Sequence, residues 1–161
     1  MSAWLRRRVL DPILGLLRQG LAPAQLALSL AFGLGVGIFP VLGVSTPLLA
    51  VIALGLRLNL AAIQLVNYLA SPLQLLLIIP FVRVGEWLVG AERQPLTIRA
   101  GTELLAKGVF QAVVILWDAI VHAAIGWIAI GPLLIFVLYR AFLPLLVRAA
   151  ARMQAPTPGQ A

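Results

Sequence analysis

Charged residues are absent from three long stretches of this chain. No Asp, Glu, Lys or Arg occurs over residues 19–56, 58–82 or 119–139, and most positions in these stretches are apolar. A run of 18 or more uncharged residues is long enough to cross a bilayer, whereas a helix on a soluble core needs a polar face. The pattern therefore predicts an all-α integral membrane protein.

The first uncharged stretch places its helix breakers at mid-length. The segment "FPVLGVSTP", residues 39–47, holds two prolines, a glycine and two hydroxyl residues. At 1.5 Å per residue, the arm before it (24–39) rises about 24 Å and the arm after it (47–56) about 15 Å, both less than a hydrocarbon core of about 30 Å. We therefore predict short broken helices that form a hairpin, which a re-entrant arrangement would accommodate.

The second uncharged stretch repeats this design and leaves two interpretations open. Its apolar run is interrupted by Asn67, Ser71-Pro72 and Gln74. One interpretation is a second hairpin; the other is a single span over residues 60–79 with a proline kink, in which neighbouring helices satisfy the freed carbonyl. Arg83 and Glu86 follow, three residues apart, and this spacing favours an ion pair on one helical face.

The amino terminus, residues 1–20, combines three consecutive arginines with apolar residues at helical spacing. A secretory signal is the alternative, but Asp11, Pro12 and Arg18 interrupt the apolar core that such a signal requires. We predict an N-terminal amphipathic interfacial helix. The further divisions are a membrane core with two broken-helix hairpins (21–90), a polar interfacial segment (91–108), a third membrane helix block (109–150) and a disordered tail (151–161).

Composition supports the membrane class and argues against nucleic acid as a partner. Charged residues make up 11% of the chain, against about a quarter in soluble proteins. The net charge of +7 suits nucleic-acid binding, but all 12 Lys and Arg residues flank or separate the apolar blocks. Basic side chains at such positions contact anionic lipid headgroups. We therefore expect a lipid bilayer, and no nucleic acid, as the partner.

The distribution of basic residues also predicts a topology. Basic segments tend to stay on the cytoplasmic side of the inner membrane. Three consecutive hairpins would each begin and end on that side, whereas alternating spans would translocate some basic segment. We therefore favour a one-sided arrangement of a multi-pass protein in the bacterial inner membrane.

Polar side chains gather near the two breaks and admit two interpretations. Unwound backbone at membrane depth persists only inside protein or beside a watered cavity, and such breaks form ion and substrate sites in many transporters. Alternatively, the hydroxyls and amides only satisfy the broken backbone. The pathway candidates here are Ser45, Thr46, Asn67, Ser71 and Gln74.

Asp118 and His122 are spaced so that they share one helical face. Ionisable residues inside a membrane often mark proton or ion pathways, and histidine titrates near neutral pH. Alternatively the pair is an interfacial hydrogen bond, because Trp117 and Trp127 nearby are typical of an aromatic belt.

Small residues at four-residue spacing predict close helix packing. Gly33 and Gly37 form such a pair, and Ala27, Ala31 and Gly35 form a second stripe. Small residues at this interval let two helices approach closely in lipid, within one chain or between copies of a homo-oligomer.

The sequence contains no enzyme signature. One histidine and no cysteine provide no multi-histidine or thiolate cluster, so we predict no metal site, and no phosphate-binding glycine loop indicates a cofactor. The five carboxylates are scattered along the chain and suggest no general acid/base pair.

Three segments occur along the chain in this order: "APAQLALSLAFGLGVGIFPVLG", "LRLNLAAIQ" and "SPLQLLLIIPFVRVGEWLVG". With these segments the chain resembles a bacterial membrane family known as domain of unknown function 2062. The resemblance is close over residues 21–95, and the rest of the chain is similar in hydropathy. The family's first break and its "R-x-N" step match here, but Ser71-Pro72 stands where asparagine-proline is usual. The resemblance implies a bacterial inner-membrane protein and brings no established activity. The matching positions complete the candidates for a substrate or ion pathway: Pro40, Gly43, Asn59 and Pro72.

Three functions remain to be distinguished. The first is translocation of a small solute, an ion or lipid by a homo-oligomer, since one copy has few helices to enclose a pathway. The second is a non-catalytic membrane scaffold or envelope accessory protein. The third, an enzyme acting on lipid, requires Asp118, His122 or Glu103 to converge with the polar breaks.

Overall fold

A computed structural model of the chain describes residues 21–93 and 117–154, together with Gly15 and Phe110 as isolated positions. These residues form helices and no strand. The expectations for the amino-terminal helix, for most of the polar segment and Glu103, and for the tail beyond residue 154 lie outside the described residues. The helices are α1 (Pro23–Gly37), α2 (Ser45–Gly55), α3 (Leu60–Val89) and α4 (Trp117–Gln154).

Helices α1 and α2 form a hairpin of two short helices. Pro23 opens α1, where the missing N–H of proline costs no hydrogen bond. The chain leaves the helix for residues 38–44, which we call the helix break, and then enters α2. After α2, the N–H of Asn59 donates to the hydroxyl of Ser29 at 3.1 Å. Since Ser29 lies in the first half of α1, the chain has returned to the end at which α1 began.

Helix α3 is continuous, so the second hairpin predicted for residues 21–90 is wrong, and one helix runs through both prolines. Pro72 and Pro80 lie inside α3 on its exposed surface. At these exposed positions their rings point away from the other described helices. The signals that begin and end the helix lie at Asn59, whose side chain accepts from the N–H of Ala62, and at Gly90, which is left-handed.

The third block is also one helix. Gly131-Pro132 and Pro144 lie inside α4, and both prolines are exposed. A one-sided arrangement of three hairpins needs the chain to turn back within α3 and within α4. The continuous helices contradict that topology.

Glycines allow α1 and α3 to pack at close range. A Cβ on Gly33 would lie 2.8 Å from the carbonyl oxygen of Ile63, and one on Gly37 would lie 3.1 Å from the Cβ of Ala70. The order of these contacts shows that α1 and α3 run in the same direction. The glycine pair therefore mediates packing within one chain.

Helix α4 runs antiparallel to α1 and α3. At one end Leu146 joins a buried cluster with Leu26 of α1 and Ala62 of α3. At the other end a Cβ on Gly85 would overlap the carbonyl oxygen of His122, and one on Gly126 would overlap that of Phe81. The backbones of α3 and α4 therefore touch where these two glycines cross.

The long helices are apolar yet mostly unburied. Both α3 and α4 are long and apolar enough to cross a membrane, and only 28% and 17% of their most apolar windows are buried. A core helix of a soluble protein would bury most of such a window. Large apolar side chains cover the outer surfaces of the described helices, among them Val51, Leu54, Leu76, Leu133 and Phe136.

The two ends of the bundle differ in charge. The described residues of one end, which we call the arginine end, include four arginines and no carboxylate: Arg57, Arg140, Arg148 and Arg152. The other, which we call the mixed-charge end, carries two arginines and three carboxylates: Arg83, Arg93, Glu86, Glu92 and Asp118.

We predict that Gly85→Ala and Gly126→Ala each destabilise the protein by about 1–3 kcal/mol or more, because the added methyl meets backbone that cannot rotate away. Gly55→Ala is the matched control, since nothing lies within 4 Å of a Cβ at Gly55. Thermal unfolding in detergent, followed by circular dichroism, measures the effect. Equal melting temperatures for Gly85→Ala and Gly55→Ala would contradict the close crossing.

Candidate functional site at the helix break

The last carbonyls of α1 receive side-chain donors from both long helices. The N–H of Phe39 donates to the carbonyl of Val36, so the carbonyl of Gly35 lacks its usual helical donor. Nε1 of Trp127, on α4, donates to the Gly35 carbonyl at 2.9 Å. Nε2 of Gln74, on α3, donates to the Phe39 carbonyl at 2.6 Å. Side chains thus satisfy backbone groups that the end of the helix leaves open.

An amide network attaches the start of α2 to α3. Nδ2 of Asn67 donates to Oγ1 of Thr46 at 3.1 Å and to Oε1 of Gln64 at 3.2 Å. Nε2 of Gln64 donates to the carbonyl of Thr46 at 3.1 Å. Asn67 is only 3% exposed, so these hydrogen bonds lie in the interior, where an unpaired amide would be costly.

The break itself is shaped by a proline, an aromatic pair and a glycine. Pro40 is buried. The ring of Phe39 meets that of Trp127 edge to face, with 4.9 Å between centroids and 82° between planes. Gly43 adopts a φ of +82°, a conformation that glycine takes without steric cost.

The amides at the break are largely committed to holding the hairpin. Both bonds that Asn67 donates, and the bond that Gln74 donates, go to groups of the same chain. Gln74 thus satisfies broken backbone, whereas both bonds of Asn67 go to side chains. By contrast, the hydroxyl of Ser45 has no hydrogen-bond partner among the described residues, although Ser45 is only 6% exposed.

The structure does not bring all the pathway candidates together. Pro40, Gly43, Ser45 and Thr46 lie in or beside the break, and Asn67 and Gln74 reach them from α3. Ser71 and Pro72 are exposed on α3, and the hydroxyl of Ser71 donates to the carbonyl of Asn67 at 3.4 Å within the helix. Asn59 caps α3 at the opposite end of the hairpin.

Asp118 and His122 lie away from the break, at the mixed-charge end. Asp118 is exposed, and no hydrogen bond between the described residues joins it to His122, whose Nδ1 is buried without a partner. His122 contacts Gly85, which lies about 16 Å along α3 from Gln74 at 1.5 Å per residue. Neither side chain therefore converges with the break, as an enzyme built from both would require.

Some residues at the site were not predicted as functional. Gln64 and Ser29 gave only a weak signal, because one glutamine or serine in an apolar helix has many uses. Trp127 was expected only in an aromatic belt, but its indole N–H donates to the carbonyl of Gly35 on α1. Gln64 lies one helical turn before Asn67, and that spacing could have identified it.

A shallow recess of about 240 Å³ lies at the mixed-charge end, away from the break. Glu86, only 2% exposed, pairs there with Arg83 at 2.8 Å. Among the described residues no group of three or more His, Cys, Asp or Glu could hold a metal ion. The recess is lined by Arg83, Glu86, Trp87, Gly90, Ala91 and Arg93.

A family model described as an uncharacterized protein conserved in bacteria (DUF2062) matches residues 4–154. No curated protein and no solved structure matches the chain. The match spans the hairpin and both long helices.

We predict that Gln74→Leu lowers stability by about 1–3 kcal/mol, because the carbonyl of Phe39 loses its donor while the substituted side chain stays buried. Ser71→Ala is the control on the same helix: Ser71 is exposed, and we expect a change within about 0.5 kcal/mol. Thermal unfolding in detergent compares the two. A Gln74→Leu protein as stable as Ser71→Ala would show that the bond does not hold the break.

Proposed function

The chain belongs to the DUF2062 family of uncharacterized proteins conserved in bacteria, and we propose that it is an integral inner-membrane protein. In this proposal α3 and α4 cross the bilayer and α1–α2 is a re-entrant hairpin between them. The single observation that carries it is a charge-free, outwardly apolar band around the middle of the bundle, flanked on both sides by the charged residues of the described helices.

The height of this band suits a bilayer. Gly85 contacts His122, so Arg83 on α3 lies near the level of residue 124 on α4. From that level to Arg140 is about 24 Å along α4 at 1.5 Å per residue. A hydrocarbon core of about 30 Å is slightly thicker, and arginine side chains that extend outward to the headgroups make up such a difference.

The charge asymmetry supports one orientation in the membrane. Among the described residues, the arginine end has four arginines and the mixed-charge end has two. Basic segments are retained on the cytoplasmic side. We therefore assign the arginine end to the cytoplasm, with its arginines in contact with anionic headgroups.

The hairpin fits a re-entrant position because it begins and ends at the arginine end. The bond from Asn59 to Ser29 closes it there. The bond from Gln74 to Phe39 places the helix break about 14 Å along α3 from Arg83 at 1.5 Å per residue. The break therefore lies near the middle of the charge-free band and does not emerge on the far side.

Translocation of a small polar solute or an ion is the activity that we propose for this architecture. Discontinuous helices that meet near the middle of the membrane form the binding sites of many transporters. Because Asn67 and Gln74 are committed to the hairpin, the pathway would run beside the break and would be completed between copies of a homo-oligomer.

A membrane scaffold without transport is the second candidate, and the amide network favours it. Thr46, Gln64 and Asn67 bond to one another and offer a solute few free groups. A rigid membrane module needs its buried polar groups to bond to one another, and it needs no aqueous path.

Membrane topology can be tested with single cysteines, because the chain contains none. We predict that Arg57→Cys and Glu92→Cys react with a membrane-impermeant maleimide from opposite faces of sealed vesicles, since α3 separates the two positions. Arg57→Cys should react from the cytoplasmic face. Reaction of both from the same face would contradict a spanning α3.

Transport can be tested in liposomes with K⁺, Cl⁻ and glycerol as probes. We predict flux of at least one probe above that of protein-free liposomes, and its loss in Leu42→Trp, which enlarges an exposed side chain at the break. Val51→Trp is the control, since Val51 is exposed on the outer surface of α2. Background flux of all three probes would argue for the scaffold.

A further inference from the structure

Several backbone groups at the helix break have no hydrogen-bond partner. Val44 precedes α2 without a side-chain cap, so the N–H groups of Ser45 and Thr46, in the first turn, remain open. In the part of the chain that the structure describes, the N–H groups of Leu42 and Gly43 donate to no acceptor. The N–H of Val44 makes only a long bond of 3.4 Å, to Val41.

The two sides of the break are satisfied differently. Trp127 donates to the carbonyl of Gly35 and Gln74 to that of Phe39, but no described side chain accepts from the N–H groups at the start of α2. The hydroxyl of Ser45, in the first turn of α2, is also without a partner among the described residues. These open N–H groups and the Ser45 hydroxyl lie together between residues 42 and 46.

This side of the break is exposed. Leu42 is 48% and Val44 40% exposed, and nothing lies within 4 Å of a Cβ built on Gly43. Lipid chains cannot accept or donate hydrogen bonds, so non-helical backbone at membrane depth persists only where protein or water covers it. Ser45 is buried within the described helices, but Leu42, Gly43 and Val44 are exposed, so the cover for their N–H groups must come from outside the hairpin.

We propose that the helix break lines a water-filled vestibule that opens to the mixed-charge end and stops at the break. This inference rests on the proposed insertion of α3 and α4 in a membrane. The vestibule would admit water and small solutes that both donate and accept hydrogen bonds, since Ser45 and the open backbone offer both kinds of group.

The direction of the opening follows from what lies on each side of the break. Towards the arginine end, the hairpin and α3 enclose a buried apolar cluster that includes Val36, Leu49 and Ile63. Water has no route through that cluster. Towards the mixed-charge end, a second apolar cluster, which includes Ile38, Phe81 and Val82, fills the contact between α3 and α4. Beside that contact, α3 continues beyond Gln74 for about 14 Å, at 1.5 Å per residue, before Arg83, and neither α1 nor α2 extends there.

The test uses Leu42→Cys and Val44→Cys in sealed vesicles with a charged, membrane-impermeant maleimide. We expect both to react from the face that labels Glu92→Cys. The comparison at similar depth is Leu76→Cys, exposed on α3 two residues after Gln74. Cysteines at the break should react at least about tenfold faster than Leu76→Cys, because a thiol in hydrocarbon does not ionise.

Other outcomes would overturn the vestibule. Reaction only from the face that labels Arg57→Cys would place the opening at the wrong end. Absence of reaction from both faces would show that water does not reach the break. Crosslinking of Leu42→Cys between two copies, in place of labelling, would show that a second copy covers it.

The controls separate this inference from the proposed membrane topology. If Arg57→Cys and Glu92→Cys react from opposite faces and only the cysteines at the break fail, the vestibule alone is wrong. If these two react from the same face, α3 does not span the membrane and the vestibule is rejected with it.

Discussion

Gln74 and Trp127 donate hydrogen bonds to the end of α1 from α3 and α4, and the rest of the structure depends on this pair of contacts. A chain that stops a helix inside an apolar bundle must find partners for the freed carbonyls, because unpaired groups there are costly. By supplying those partners, the two long helices determine where α1 ends. Glycines at 33 and 37 then let α1 lie close enough to α3 for the contact to form.

The same constraint links the fold to the proposed function. In lipid, the cost of an unpaired backbone group rises, so a break survives only where it is satisfied or wetted. Side chains donate to the carbonyls of Gly35 and Phe39, while no described side chain accepts from the N–H groups of Ser45 and Thr46. In the proposed function, this difference is what would let a polar species reach the break from an otherwise apolar band.

Much of the fold could be predicted from the sequence. The charge-free blocks indicate where the long apolar helices lie, and the proline-glycine break indicates the turn between α1 and α2. A second hairpin was predicted because prolines usually interrupt helices. Pro72 and Pro80 lie at exposed positions, however, and α3 continues through both. Interhelical contacts were harder to predict. Gly85 and Gly126 lie on different helices, so no spacing pattern within either helix reveals that they pack together. The role of Trp127 likewise depends on a partner 92 residues away along the chain.

The most direct test of this account is extraction of bacterial membranes with alkaline carbonate, followed by sedimentation. Such treatment releases peripheral proteins and leaves helices that are embedded in lipid. The account predicts that the full chain stays with the membrane pellet and leaves it only in detergent. Recovery of the chain as a dispersed monomer in the detergent-free supernatant would contradict the claim that lipid is the solvent of α3 and α4.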